Sequence, residues 1–161
     1  MNGSHLEYAG FWKRFAAYCI DSVIVGISGV VLLVPLVASI GLGAFSLEGS
    51  ELSRDSSAAL SLLFAIVAGY FLVILGVLLT GWLYFSLMES SSQQGTLGKM
   101  ALSIKVTDMN GSRISFGRAS GRYFGKFISN LTLGIGYIMA GFTQQKQALH
   151  DIIAGCLVVN K

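Results

Sequence analysis

The sequence predicts an all-α membrane protein: a transmembrane helical hairpin, a C-terminal re-entrant or third helical segment, and a small cytoplasmic β element. Three observations predict it. Of the 161 residues, 53% are apolar and only 12% charged, about half the roughly 25% usual in a soluble domain, so there is too little polar surface to cover a globule in water. Two runs, Phe15 to Leu42 with one charge and Ala58 to Met88 with none, each exceed the roughly 20 residues that a helix needs to cross a bilayer. The basic residues are also unevenly placed: two in the lead, one in the segment 43–57, and six between Glu89 and Lys126.

The first helix is placed at about 15–40. Lys13 and Arg14 precede it as in a signal peptide, but the apolar run is far longer than the roughly 7–15 residues of a signal h-region, so it is read as a retained span. Pro35 should kink or end it. The polar loop that follows holds Glu48, Glu51, Arg54 and Asp55. The second helix, about 58–88, carries Trp82, Tyr84 and Phe85 near its end, as interfacial aromatics sit. Ser61, Ala65, Gly69, Gly76 and Thr80 recur along it at spacings near four, a pattern that lets membrane helices approach closely. The positive-inside rule puts the lead and the segment 89–115 in the cytoplasm.

Within 89–115, Ala101 to Thr107 alternates like a strand, and Asn110-Gly111 is a tight-turn signal. Ile114 and Phe116 suit a return strand, or Ser115 caps a helix starting near Phe116. The last helical segment, about 116–143, contains the apolar stretch Phe127 to Phe142. At 1.5 Å per residue this is about 24 Å, short of a bilayer core of about 30 Å. Gly134, Gly136 and Gly141 weaken it further. We therefore expect a re-entrant or broken hairpin, with the tail 144–161 returning to the cytoplasmic side. Leu157-Val158-Val159 would then pair with Ile104-Lys105-Val106, and Asp151 would approach Arg14. A tilted third span is the alternative.

Asp21 is the most informative residue. A carboxylate at that depth in a helix costs about 2.5–3.5 kcal/mol on insertion scales and should face protein or water. Arg14, seven residues earlier, shares its face but lies about 10 Å away along the axis, with Tyr18 between them as a bridge. A structural ion pair and an ion- or proton-handling site are both open. Arg118, Arg122 and Lys126, at i, i+4 and i+8, form a basic stripe suited to anionic lipid head groups or to plain anchoring. His150 beside Asp151 either titrates near neutral pH or serves as a hydrogen-bonding residue.

Several chemistries find no support. The pair Gly98-Lys99 lacks the glycine at position 93, which is Gln93, and the hydroxyl after the lysine, where Met100 stands, so it is not a phosphate loop. Asp108 to Gly111 lacks the later ligands of a calcium loop. No Ser-His-Asp or Cys-His arrangement is evident. Cys19 and Cys156 sit in apolar sequence with no metal-ligand spacing. A net charge of +3 without basic runs does not point to nucleic acid.

Three motifs in order resemble the RDD family of bacterial membrane proteins, named for one Arg and two Asp. Lys13-Arg14-Phe15-Ala16-Ala17-Tyr18-Cys19-Ile20-Asp21 is similar to its opening signature. Glu89-Ser90-Ser91 with Gln94-Gly95-Thr96-Leu97-Gly98-Lys99-Met100, then Ile104 to Asp108 and Asn110-Gly111, resembles its central motif. Gln147 to Asp151 with Ala154-Gly155 and Val158-Val159 resembles its closing one. The resemblance spans nearly the whole of 1–161, read as one RDD-like domain. It implies a transport role, cation/proton antiport included. The expectation is a small transporter or ion-coupling protein of the bacterial inner membrane, multi-pass, with its N-terminus cytoplasmic. Its charge centre would be Arg14, Asp21 and Asp151, supported by Tyr18, Glu89, Lys99 and His150. No catalytic residue, metal, cofactor or nucleic acid is expected, and the protein is not expected to be an enzyme. So few helices to enclose a path imply membrane lipid and a homo-oligomer or larger membrane complex as partners. An accessory or assembly subunit without transport activity is the rival expectation.

Overall fold

The computed structural model describes residues 7–47 and 56–161. The polar loop with Glu48, Glu51, Arg54 and Asp55 falls outside the described residues. The elements run α1 (Phe11–Leu47), α2 (Ser56–Ser90), α3 (Leu97–Ala101), β1 (Ile104–Asp108), α4 (Phe116–Leu131), α5 (Ile135–Ile138), a 3-10 turn (Met139–Gly141), α6 (Leu149–Ala154) and β2 (Cys156–Asn160). They fall into two compact units, 24–80 and 1–23 with 81–161.

The unit 24–80 is an antiparallel helix pair. Segments Phe11–Leu42 and Leu60–Ser90 are each long and apolar enough to cross a membrane. Of the two outcomes expected at Pro35, an end is excluded, since α1 runs from Phe11 through Pro35 to Leu47, past the expected bound near 40. In apolar surroundings the backbone has no outside partner, so the helix persists around a lost hydrogen bond. The small-residue stripe does what its spacing predicts. A β-carbon at Gly69 would come within 3.1 Å of Leu36 Cδ1, one at Gly76 within 3.6 Å of Leu32 Cδ1, and one at Gly29 within 3.5 Å of Val77 Cγ2. Leucines one turn apart on α1 thus lie against glycines on α2. Most other large side chains of the pair point outward, among them Val30, Val34, Phe64, Val67 and Phe71. A surface this apolar is stable only in contact with lipid or another apolar face.

The second unit is built on a two-stranded antiparallel sheet. Val106 pairs with Val158, Lys105 with Val159 and Thr107 with Leu157, the pairing expected from the two apolar stretches. Its core is Ile104, Val106, Cys156 and Val158 with Ala9, Ala17, Ile114 and Ala119. Both open edges are covered, which suppresses pairing with other chains. The lead lies along β2, with Ala9 N–H donating to Val158 O at 2.9 Å and Asn160 N–H to Glu7 O at 2.8 Å. Gln94 lies along β1 and accepts from Val106 N–H at 2.6 Å. Asn110-Gly111 does turn the chain, with Gly111 at φ 83°. No return strand follows, because Ser115 instead caps α4 by accepting from Arg118 N–H at 3.3 Å.

The segment expected at 116–143 is a broken helix. α4 stops at Leu131, the chain reverses through Leu133 (φ 53°) and Gly134 (φ 84°), and α5 with the 3-10 turn leads back. Gly136 sits so close to α4 that a β-carbon there would come within 2.9 Å of Ser129 Cα. Gly155, at φ 60°, then ends α6 and starts β2.

The lead and the tail share one sheet edge, so both must lie on the same side of any membrane the helices cross. Single cysteines at Glu7 and Lys161, in a background lacking Cys19 and Cys156, are expected to react with an impermeant reagent from the same side. Labelling from opposite sides would overturn the fold.

Candidate functional site

Asp21 is fully buried and faces three donors. Tyr84 Oη–H donates to Oδ1 at 2.9 Å, Gly98 N–H to Oδ1 at 2.8 Å, and Thr96 Oγ1–H to Oδ2 at 2.5 Å. Leu97 N–H in turn donates to Tyr84 Oη at 3.1 Å. The carboxylate therefore ties α1 to α2 and to the start of α3. Such contact needs a bare backbone at position 98. A β-carbon on Gly98 would lie 2.2 Å from the Ala17 carbonyl oxygen.

Arg14 does not pair with Asp21, and Tyr18 does not bridge them. Tyr18 is 55% exposed. Arg14 turns toward the sheet instead, donating through Nε to Ala9 O at 2.9 Å and through Nη1 to Asp151 Oδ2. From there a chain of alternating charges runs through the interior. Asp151 Oδ1 accepts from Arg122 Nε at 2.6 Å, Arg122 Nη1 lies 2.7 Å from Glu89 Oε2, and Glu89 Oε1 accepts from Lys99 Nζ. Asp151 also accepts from Ala148 N–H at 3.1 Å, at the start of α6.

Arg122 is thus no lipid-facing residue. Its side chain is 3% exposed, on the α4 face that also buries Ala119, Gly125 and Ser129. The small residues one turn either side mark a packed face, the signal that the spacing of the cations alone obscured. Lys126 shares this side and is half-buried, while Arg118 is exposed. Lys126 Nζ stands 3.8 Å above the Phe85 ring, and among the described residues no carboxylate forms an ion pair with it.

Burial acts on every member of this cluster. It pushes the Asp151 carboxyl up, but Arg122 foremost, with Arg14, outweighs it and holds the group well below the usual carboxylate range. Burial opposes the Arg122 charge too, yet Asp151 and Glu89 leave its pKa raised. The Lys126 ammonium is pushed down to about 7, by burial first. Burial takes His150 down to about 3, so it is neutral at pH 7, and pushes the Cys156 thiol up to about 11.

The fold gathers Ser129, His150 and Asp151, an arrangement invisible in the sequence. Ser129 Oγ is 3.3 Å from His150 Nδ1, and His150 Nε2 is 3.5 Å from Asp151 Oδ1. It does not form a nucleophilic triad. Ser129 is fully buried, its hydroxyl is shared with the Gly125 carbonyl at 3.3 Å, and both Asp151 oxygens are committed to arginines. Nor do the carboxylates suit a metal. Their oxygens are taken by the donors described, and among the described residues no three of His, Cys, Asp and Glu cluster.

A cavity of about 530 Å³ opens beside this network. Arg14, Lys99, Arg122 and Lys126 contribute to its lining, and among the described residues Asp21 is the one acidic side chain there. Phe11, Phe15, Tyr18, Phe85, Leu133 and Ile138 belong to its apolar wall.

The opening, central and closing motifs therefore meet around one site, and a family model described as the RDD family matches residues 8–155. The chain belongs to the RDD family. Two relatives from Bacillus subtilis (strain 168) are similar over nearly its full length. "Uncharacterized protein YxaI" is 35% identical over 153 residues, covering 95% of this chain and 97% of that protein. "Uncharacterized membrane protein YteJ" is 31% identical over 160 residues, covering 96% and 82%. No solved structure matches. With its two apolar helices, this RDD-family chain is a membrane protein.

Two outcomes follow from the geometry. Gly98→Ala is expected to abolish recovery of folded protein, because the backbone contact with Ala17 has no room to yield. Gly117→Ala on α4, where a β-carbon would meet nothing within 4 Å, should behave as wild type in the same size-exclusion assay. Lys126→Met should raise the melting temperature below pH 7. The folded-state pKa of Lys126 lies below its unfolded value near 10.4, so the charged form is the one that destabilises the fold. The advantage should shrink as pH rises from 7 and vanish near 10, as melting curves across that range would reveal.

Proposed function

We propose that the protein is a small transport or ion-coupling component whose working site is this cavity, and that the species it handles is an anion. The observation that carries the reading is the charge at the cavity: Arg14, Lys99, Arg122 and Lys126 line it, against Asp21 in the lining and Glu89 and Asp151 behind it, an excess of one positive charge. A cation entering would meet repulsion in a site of low dielectric, where charge interactions are strong. Cation/proton exchange through Asp21 has correspondingly less support. The protein on this reading is not an enzyme. It sits in a bacterial inner membrane, multi-pass, with lead and tail on the cytoplasmic side and α4–α5 as a re-entrant hairpin. A second copy or a larger membrane complex would cover the outward apolar faces of α1 and α2.

The accessory-subunit reading is favoured by a separate observation. The ladder Arg14–Asp151–Arg122–Glu89–Lys99 is internally paired, as a purely structural charge cluster would be.

Proteoliposomes containing only the purified protein and a pH-sensitive dye would separate these readings. Gradients of phosphate or butyl phosphate should produce a response well above that of protein-free vesicles and of vesicles with Arg14→Gln. Gradients of sodium or potassium should produce none. Response to the cations alone would refute anion handling, and silence under all gradients would leave the accessory role.

A further inference from the structure

The cavity is chemically divided. At its floor lie Arg122 and Lys99, both buried, held by the carboxylates of the ladder. Among the cavity's cations, two present a donor with no carboxylate against it among the described residues. Arg14 Nη2 is buried with no hydrogen-bond acceptor, and Lys126 Nζ rests on the Phe85 ring without a carboxylate partner. A buried guanidinium nitrogen without an acceptor forfeits roughly 1–3 kcal/mol of solvation, and an unpaired ammonium against aromatic carbon is also costly. Four cations stand here against three carboxylates, Glu89, Asp151 and Asp21, the last of which accepts from neutral donors alone. The local excess is positive.

The rim has the opposite character. Phe15 and Tyr18 on α1 and Leu133 and Ile138 of the C-terminal hairpin all line the cavity. All four are nonetheless exposed, Leu133 at 92%. Its neighbours Leu131 and Ile135 are exposed as well. A chain reversal tipped with bare leucines is stable in hydrocarbon, not in water, so the cavity would open toward the apolar phase.

We infer that the cavity binds a single anionic head group joined to a hydrocarbon chain, the head between Arg14 and Lys126 and the chain leaving past Phe15, Tyr18, Leu133 and Ile138. A small inorganic anion would satisfy the floor and leave the rim bare. A neutral lipid would cover the rim and leave both donors unpaired. The volume of about 530 Å³ falls within the roughly 300–1,000 Å³ of ligand pockets, enough for a head group and the first part of one chain. Fatty carboxylates and phosphatidate share this chemistry. The inference rests on the reading of the cavity as the working site, and it names the class of molecule handled there.

Photo-crosslinking decides it. The full chain is placed in phosphatidylcholine nanodiscs with a diazirine-bearing fatty acid, its alcohol analogue, or a diazirine-bearing phosphatidic acid, and labelled peptides are mapped by mass spectrometry. At least one acidic probe should label the rim segments around Phe15 and Leu133 about ten-fold more than the alcohol, the worth of one charge-assisted hydrogen bond. The stronger of the two acidic probes identifies the source. Lys126→Gln should lower that labelling about ten-fold at unchanged or higher melting temperature. Lys126→Arg should retain it, and so should Arg118→Gln. Equal labelling by acid and alcohol overturns the inference, as does full displacement by millimolar inorganic phosphate. The wild-type comparison stands even if a variant fails to fold. Acid-selective labelling without anion flux removes the transport reading and keeps this site. Anion flux without acid-selective labelling does the reverse.

Discussion

An aspartate between two arginines holds the second unit together. Asp151 receives Arg14 from the first helix and Arg122 from the fourth, and accepts the Ala148 amide of its own helix. Three segments far apart in sequence thereby converge on one carboxylate. Removing two or three charges from water costs several kcal/mol each, and their mutual attraction roughly repays it only when geometry and hydrogen bonding are good. The net gain in stability is therefore modest. The cost of losing one member is large, since it strands the others, and that asymmetry makes the arrangement specific. Any alternative packing of α4 against α6 would leave Arg122 buried without its partners.

The rest of the charge ladder extends this constraint. Arg122 passes it to Glu89 at the end of α2, and Glu89 to Lys99 on α3. Asp21 is a separate tie that joins α1 to Tyr84, Thr96 and Gly98. The family's Arg and two Asp thus do not form one cluster. Arg14 and Asp151 lock the tail to the lead, while Asp21 locks the central motif onto the first helix. The sheet completes the closure, with residues 7–9 along one edge and Gln94 along the other.

This frame also defines the cavity. The ladder places its cations against a wall that the carboxylates occupy from behind. Arg14 and Lys126 line the cavity, each with a donor that no carboxylate takes among the described residues. Phe85 beneath Lys126 supports the ammonium through its ring face, a contact worth about 0.5–2 kcal/mol depending on exposure.

The sequence by itself determined the long-range order of the chain. Two apolar runs had to become helices suited to lipid, because an uncharged stretch of that length has no other way to satisfy its backbone. The glycines of α2 marked the surface on which Leu32 and Leu36 would pack. The shortness of Phe127 to Phe142, Asn130 and the three glycines marked a break within that stretch, which the structure puts at Leu133-Gly134, and the apolar strand stretches marked the pairing of 104–106 with 157–159. The partners of the charges were decided only by the tertiary structure. Helical spacing reports which residues share a face, but Arg14 and Asp21 share a face and still bind different partners, and the cations of α4 looked like one stripe until Ala119 and Gly125 let the helix approach closely enough to bury Arg122. A side chain as long as arginine reaches acceptors from any segment folded nearby, so the choice of carboxylate depends on distances that only the folded chain sets.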